Sequence, residues 1–238
     1  MSLGGDPEAP PMRVGFPVVD TLTGQTAAFA ILSALFRRER TGEGDYIDVA
    51  MFDASVAFMA SAVVPYLVTG RAPERTGNTG FSGQPTSALF VARDGRHISL
   101  GVVQQRQFEL LARVLGREDW LTDPRFTTPD LRRANAGAMH AELAHEIGQR
   151  DAPQWESMLS AAGLPCGMVR DVGEAMELPA LEERQLCHPL EVAGLPDRTR
   201  VGVVGPGFLA ASAGVQALPP PPRLGQHTEE LRAWLAGD

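Results

Sequence analysis

The chain has 238 residues, of which 44% are hydrophobic and 21% charged, enough for one large domain or two small ones without stabilising disulfides. Its formal net charge of −8 disfavours nucleic acid and an acidic membrane surface as partners. The two cysteines, Cys166 and Cys187, have no metal-ligand spacing and form no disulfide framework. These features predict a cytoplasmic protein with reduced thiols and no bound metal.

The first predicted element is an apolar helix over residues 22–38, which follows an irregular start rich in Gly and Pro. Residues 27–36 are apolar on nearly every side of this helix, a pattern typical of a buried helix. No run reaches the about 18 consecutive apolar residues that would span a bilayer. The chain also opens without a signal-peptide pattern. We therefore predict no membrane partner.

Asp20 comes directly before this helix. An aspartate in this place most often caps the helix, because its side chain accepts hydrogen bonds from the free N–H groups of the first turn. The same N–H groups and the positive end of the helix dipole also stabilise an ionised carboxylate that attacks an electrophile. Taken alone, the position of Asp20 is compatible with both roles.

A short strand is predicted over residues 46–50 and a second, largely buried helix over residues 51–69, which gives a helix–strand–helix run of the α/β kind. Residues 71–87 then form a polar, glycine-rich loop that contains Gly80, Gly83 and Gln84. Such a loop is either a linker or a segment whose backbone approaches a reacting centre, with the amide of Gln84 as a donor. It lacks the features of a P-loop.

A compact α+β module is predicted next, beginning with a β-hairpin whose turn is Asp94-Gly95. Its further elements are helices at 105–115, 129–149 and 152–162, a strand at 166–169, and short helices at 171–176 and 180–185. The tail contains strand-like pieces at 190–192 and 201–204, a proline run at 219–222, and a last helix from Thr228. We predict three parts: residues 1–86 in a larger α/β domain, 87–190 in a small α+β domain, and 191–238 as a return segment whose helix packs on the larger domain.

Several segments in this order resemble one protein family. They are Asp20-Thr-Leu-Thr-Gly, Arg38-Glu-Arg-Thr-Gly-Glu-Gly, Ile47-Asp-Val-Ala-Met-Phe-Asp-Ala, Gly80-Phe-Ser-Gly-Gln-Pro, Asp119-Trp-Leu-Thr-Asp-Pro-Arg-Phe, Ala162-Gly-Leu-Pro-Cys-Gly-Met-Val and Leu224-Gly-Gln-His-Thr. Together they are similar to the class III CoA-transferases, or CaiB/BaiF family, which includes α-methylacyl-CoA racemase. The resemblance covers nearly all of the chain from Gly15 onward.

The resemblance implies an α/β fold with part of a Rossmann-like larger domain and a smaller α+β domain. It implies that Asp20 is the catalytic nucleophile, which forms an aspartyl anhydride and then an aspartyl-CoA thioester. Gly80, Gly83 and Gln84 are implied to lie in a substrate-binding loop. The implied substrates are an acyl-CoA thioester and a small carboxylic acid, with no permanently bound cofactor, and the implied assembly is a homodimer.

Two alternatives remain at this point. In the racemase branch the aspartate lies in a Gly-Asp-Phe-Gly-Gly-Gly segment, whereas here Asp20 is followed by Thr21-Leu22-Thr23-Gly24. That branch also tends to carry a Glu followed closely by Pro-Gln-Phe, whereas here the residues that lead to Phe108 are Gln104-Gln105-Arg106-Gln107, with no Glu among them. Both departures favour a transferase. The alternative of another class is an inactive fragment or scaffold subunit that keeps the fold, with Asp20 as a simple cap. Family members are longer, so we expect their N-terminal CoA-binding region to be absent from this sequence.

Overall fold

The computed structural model describes residues 3–192, 200–209 and 220–237, a mixed α/β structure in two compact units, residues 1–169 and 170–238. The first unit begins with three helices: α1 (Val18–Thr41), α2 (Met51–Phe58) and α3 (Ala60–Thr69). It continues with β1 (Leu89–Val91), β2 (His97–Leu100), α4 (Gln105–Leu115), a 3-10 turn (Glu118–Leu121), α5 (Pro129–Ala134), α6 (Ala136–Ile147), α7 (Ala152–Ala161) and β3 (Cys166–Met168). The predicted division into three parts stays a prediction.

A three-stranded antiparallel sheet in the order β1-β2-β3 organises the second half of this unit. The hairpin between β1 and β2 confirms the Asp-Gly prediction, because Gly95 takes a left-handed φ of 79° at the turn. Along β2, Ile98 and Leu100 are buried while His97 and Ser99 are exposed, so one face of the sheet points into a core. Helices α6 and α7 pack against this sheet.

The core beneath the sheet is continuous. Its largest fully buried side chains are Phe90, Ile98, Phe108, Leu111, Trp120, Phe126, Met139, Leu143, Ile147 and Leu159. The predicted helix over 129–149 is in fact two helices, α5 and α6, separated at Asn135. The break lets the short α5 lie against the loop before the hairpin, a contact that becomes important for the site.

The prediction that the N-terminal helix is buried is wrong for this chain by itself. No residue of α1 is buried, and Phe29, Leu32 and Phe36 are 73%, 66% and 65% exposed. Helix α1 packs against α2, but its 24 residues present more apolar surface than an eight-residue helix can cover. An apolar pattern therefore reports what a helix surface prefers, whereas burial also needs a partner of sufficient area.

Two further predictions in this region are corrected. Residues 46–50 form no strand, because an extended segment needs a neighbour to complete its hydrogen bonds and none pairs with it among the residues described. The predicted helix over 51–69 bends by 77° at Met59 into α2 and α3. The segment is not largely buried either. Among its described residues, α2 has one buried residue, Ala54, and α3 has none. The predicted stop at Gly70 is confirmed by its left-handed φ of 68°.

Two stretches among the described residues are long and apolar enough to cross a membrane, by length and composition alone. One is helix α1, none of which is buried, and the other is the bent pair of α2 and α3. Helix α1 is apolar on average but is interrupted by polar residues, which explains why the sequence showed no uninterrupted apolar run of that length. Core helices of soluble proteins have the same length and composition, so the absence of a membrane partner stays a prediction.

An ion cluster fixes the 3-10 turn to α6. Arg117 pairs with Asp119, Glu142 and Glu146 at 2.8–2.9 Å and stacks over the ring of Trp120. The hydrogen bond from Arg117, more than its charge, holds the pKa of Asp119 below the usual range of an aspartate. The same carboxylates raise the pKa of Arg117, so the guanidinium stays charged at any relevant pH.

We expect Arg117→Ala to lower the free energy of unfolding by about 1–3 kcal/mol at pH 7, because three carboxylates lose their shared cation. Since the pKa of Asp119 is lower in the folded state, its contribution exists above the unfolded value of about 4 and is lost as the pH falls through the folded value. Thermal unfolding followed by circular dichroism should therefore show a smaller difference between wild type and variant at pH 3 than at pH 7. An unchanged difference would contradict this role.

The second unit contains α8 (Val172–Met176), α9 (Pro179–Glu183), β4 (Cys187–Glu191), β5 (Arg200–Val204) and α10 (Thr228–Ala236). Strands β4 and β5 form an antiparallel pair in which Cys187 lies opposite Val204. The predicted proline run lies partly outside the described residues, which resume at Pro220. The predicted packing of the last helix on a larger domain stays a prediction.

Candidate active site

Asp20 lies inside the first turn of α1 and not before it. The helix begins at Val18 with Pro17 at the N-cap position, and no side chain caps it. The alternative in which Asp20 is the N-cap is therefore wrong, because the helix starts at Val18 and not at residue 22 as the apolar pattern suggests. Asp20 is exposed, and its carboxylate has no hydrogen-bond or ion-pair partner within the described part of the chain.

This position suits an anionic group. The first N–H groups of an α-helix have no carbonyl partner within the helix, and the helix dipole places partial positive charge there. Asp20 lies at this end of the helix, and its side chain makes no cap hydrogen bond. Asp20 can therefore present a free carboxylate oxygen to an incoming electrophile.

The glycine-rich loop is internally hydrogen-bonded. The N–H of Gly80 donates to Ser87 O at 2.6 Å, and the N–H of Gly83 donates to Gly80 O at 2.9 Å. Gly83 needs its lack of a side chain because its φ is +66°. These two N–H groups are thus occupied within the loop. The N–H groups of Phe81 and Ser82, which the sequence did not single out, face no acceptor among the residues described.

Gln84 is buried, with 2% of its surface exposed. Its Nε2 donates to the carbonyl of Pro129 at the start of α5, at 3.3 Å, whereas its Oε1 is buried without a hydrogen-bond partner among the described residues. The amide that the sequence suggested as a donor to substrate is therefore engaged with the backbone of α5. The group of Gln84 that is left without a partner is thus a buried acceptor.

Replacement of Gly80 by alanine is expected to disrupt this loop. A Cβ at residue 80 would overlap Ser87 Oγ and lie 3.1 Å from the backbone oxygen of Ser87, which accepts the Gly80 hydrogen bond. Rotation of the Ser87 hydroxyl relieves only the first contact, so the backbone must shift. Amide hydrogen exchange at residues 80–87 should become at least about tenfold faster. The double variant Gly80→Ala, Ser87→Ala should recover only part of the protection, and full recovery would show that the backbone contact is harmless.

Helix α5 carries two neighbouring arginines with different environments. Arg132 is 1% exposed, donates to Phe126 O at 2.7 Å and to Gln105 Oε1 at 2.9 Å, and lies 3.9 Å from the ring centre of Phe108. Burial, reinforced by the charge of Arg133 and opposed by that of Glu109, lowers the pKa of Arg132 to about 10.

Arg133, unlike the buried Arg132, lies at the surface. It is half-exposed and forms an ion pair with Asp130. A side chain built on Gly83 would meet the Cδ of Arg133 at 3.9 Å, so this arginine borders the glycine-rich loop. Sequence reasoning missed both arginines, because two adjacent arginines in a short polar helix predict a solvated face.

The structure brings Gly80, Gly83 and Gln84 together with α5, while Asp20 lies on a separate element, α1, that packs against α2. Within the described ranges there is no group of three or more His, Cys, Asp or Glu side chains that could hold a metal ion. The chemistry available to these residues is that of a free carboxylate, backbone N–H donors and a guanidinium.

Comparison with known proteins shows which family this chain belongs to. The model of CoA-transferase family III matches residues 1–228, and the chain therefore belongs to that family. An acetyl-CoA:oxalate CoA-transferase of Acetobacter aceti is 35% identical over 208 residues, which cover 83% of this chain and 53% of that protein. A succinyl-CoA--D-citramalate CoA-transferase of Chloroflexus aurantiacus is 30% identical over 236 residues, or 99% of this chain and 58% of that protein.

A solved structure of a family member has the same fold as this chain. The crystal structure of a CaiB/BaiF family protein from Brucella suis superposes with a TM-score of 0.79 at 28% sequence identity, covering 99% of this chain and 60% of that chain. The α/β fold of the family, expected from the sequence, is thus confirmed. The chain spans little more than half the length of the curated relatives described above.

Proposed function

We propose that this chain supplies the nucleophile of a CoA-transferase, Asp20, which moves CoA between an acyl-CoA thioester and a small carboxylic acid. The observation that carries the proposal is the exposed, unpaired carboxylate of Asp20 in the first turn of α1, in a chain that belongs to family III. A carboxylate oxygen that is not engaged in a hydrogen bond is free to attack a carbonyl carbon.

The proposed reaction has four steps that balance without an outside reagent. An Asp20 oxygen attacks the thioester carbonyl and the C–S bond breaks. CoA departs as a thiolate, and the acyl group remains on Asp20 as an acyl-aspartyl anhydride. The thiolate attacks the aspartyl carbonyl and releases the first acid as a carboxylate. The acceptor carboxylate then attacks this aspartyl-CoA thioester, forming a second anhydride and thiolate. Attack of the thiolate on the new acyl carbon yields the product acyl-CoA and free Asp20.

The glycine-rich loop is proposed to stabilise the oxyanions of these steps. Each attack on a carbonyl creates negative charge on an oxygen, which preorganised N–H donors stabilise. The N–H groups of Gly80 and Gly83 are engaged within the loop, so we assign the donor role to Phe81 and Ser82. Gly80 and Gly83 then contribute to substrate binding by shaping the turn, and Gln84 by anchoring it to α5.

The proposed acid is small and has two carboxylates. Oxalate and D-citramalate, the acids in the names of the two relatives above, are both dicarboxylic. Carboxylic acids of this kind carry no group that needs a metal or redox cofactor for CoA transfer. We therefore propose that a CoA thioester acts as substrate and that no cofactor is permanently bound.

The assembly is proposed to be a cytoplasmic homodimer. Support comes from the exposed apolar side chains of α1, such as Phe29 and Leu32, which are costly to leave in water. A second copy of the protein would cover them at an interface. Sedimentation velocity of the full-length protein should give the mass of a dimer, and a monomer at micromolar concentration would contradict the proposal.

Hydroxylamine trapping tests the reaction. Incubation with acetyl-CoA or succinyl-CoA followed by hydroxylamine should leave a hydroxamate on the peptide that contains Asp20, detected by mass spectrometry. Exchange of the α-proton of an acyl-CoA in deuterated water, without CoA transfer, would instead support the racemase alternative. Neither signal in the full-length protein would support an inactive scaffold subunit.

A further inference from the structure

The glycine-rich loop and α5 form one surface. Gln84 Nε2 ties the end of the loop to Pro129 O at 3.3 Å, and the backbone of Gly83 faces the aliphatic stem of Arg133. Because Gly83 has no side chain, no side chain at residue 83 lies between the loop backbone and Arg133. The half-exposed guanidinium of Arg133 therefore lies beside this loop.

The charge of Arg133 is only loosely compensated. Its partner, Asp130, has 85% of its side chain exposed, and such surface pairs are weak and screened by water. The neighbouring guanidinium of Arg132 adds positive charge, and their repulsion helps to lower the pKa of Arg132, with Glu109 as the opposing carboxylate. An incoming anion can thus displace Asp130 at little cost and find a positive potential, in a chain whose net charge is −8.

We propose that Arg133 binds the second carboxylate of a dicarboxylic acid and so selects diacids over monoacids. This inference rests on the proposed function, in which the loop borders the reacting centre and one carboxylate of the acid exchanges CoA through Asp20. The other carboxylate keeps its charge throughout and needs a partner. A guanidinium offers two parallel N–H donors that match a carboxylate. A monocarboxylic acid gains nothing from Arg133, which then stays with Asp130.

The test compares acceptor acids in the full-length protein. With one acyl-CoA donor, Arg133→Gln should lower kcat/KM for glutarate or succinate by about 10- to 100-fold, the loss expected for charge-assisted hydrogen bonds, and for butyrate by less than about twofold. The KM for the acyl-CoA should not change. Arg133→Lys keeps the charge but not the paired donors. Its kcat/KM for the diacids should lie between those of wild type and Arg133→Gln.

Arg232→Gln is a matched control. Arg232 and Glu229 on α10 form an ion pair with the same three-residue spacing as Asp130 and Arg133, and both side chains are exposed. This variant should leave the ratio of diacid to monoacid rates unchanged. Thermal unfolding should be the same for wild type and both Gln variants, because each removes only a surface pair.

Calorimetric titration separates the two proposals. Glutarate should bind wild type more tightly than butyrate does, and Arg133→Gln should abolish this preference independently of turnover. Equal losses for both acids, no loss, or a loss confined to the KM of the acyl-CoA would overturn the role of Arg133 and leave the transferase standing. A wild-type protein that binds glutarate through Arg133 without transferring CoA would refute the transferase alone, and one that neither binds glutarate nor transfers CoA would refute both.

Discussion

Asp20→Asn is expected to lower kcat for CoA transfer by about a thousandfold or more while leaving the fold intact, because loss of a nucleophile removes the covalent route entirely. Asparagine has the same shape but no anionic oxygen, so it cannot form the anhydride. Asp20 is exposed and makes no cap hydrogen bond, so little stability depends on it. Steady-state transfer assays and hydroxylamine trapping on the same preparations provide the measurement.

Asp53 offers a matched control for Asp20. It is also an exposed aspartate in the first turn of a helix, α2. If a carboxylate at a helix N-terminus mattered only for helix stability, Asp53→Asn and Asp20→Asn would behave alike, each costing at most about 1 kcal/mol. We expect Asp53→Asn to keep nearly full activity. Comparable activity of the two variants would remove Asp20 from the reaction.

The second large effect is on stability. Arg132→Ala should lower the free energy of unfolding by about 3–5 kcal/mol, since it leaves a cavity and removes the donor of one buried and one partly buried acceptor. Those acceptors are Phe126 O and Gln105 Oε1, and the contact with the Phe108 ring is lost as well. For a protein of this size the melting temperature should drop by about 10 °C, measured by calorimetry.

Two further variants identify the cause of the expected stability loss in Arg132→Ala. Arg132→Met fills the same space and removes a buried charge that has no carboxylate ion-pair partner among the described residues, so we expect it to recover about half of the loss. Arg133→Ala on the same helix removes an exposed guanidinium and should change stability by less than about 0.5 kcal/mol. A small effect of Arg132→Ala would mean that the buried guanidinium contributes no net stability.

Local patterns in the sequence were sufficient for the small α+β module. The hairpin predicted from the Asp94-Gly95 turn and the helices predicted at 105–115 and 152–162 are confirmed as the β1–β2 hairpin, α4 and α7. These elements cover their apolar faces against one another within the same stretch of chain. Where the pattern and its packing partner lie close in sequence, local chemistry and final structure agree.

The prediction was weaker where burial depends on distant surfaces. The apolar pattern of α1 predicted a buried helix, yet Phe29 and Leu32 are exposed. Residues 46–50 have no strand to pair with in the part of the chain that the structure describes. The break at Met59 was also missed, because it interrupts a run whose composition suits one helix. Periodicity states which side chains prefer to leave water, but not whether a partner surface is present.

For the candidate site, the sequence by itself determined the family and predicted Asp20 as the nucleophile. Only the tertiary structure decided that Asp20 stands free in the first turn of α1, that the amide of Gln84 is engaged by Pro129, and that Arg133 borders the glycine-rich loop. The physical reason is that residue type sets the chemistry a side chain can perform. Its hydrogen-bond partners and its exposure, which decide whether that chemistry is available, come from segments separated by tens of residues.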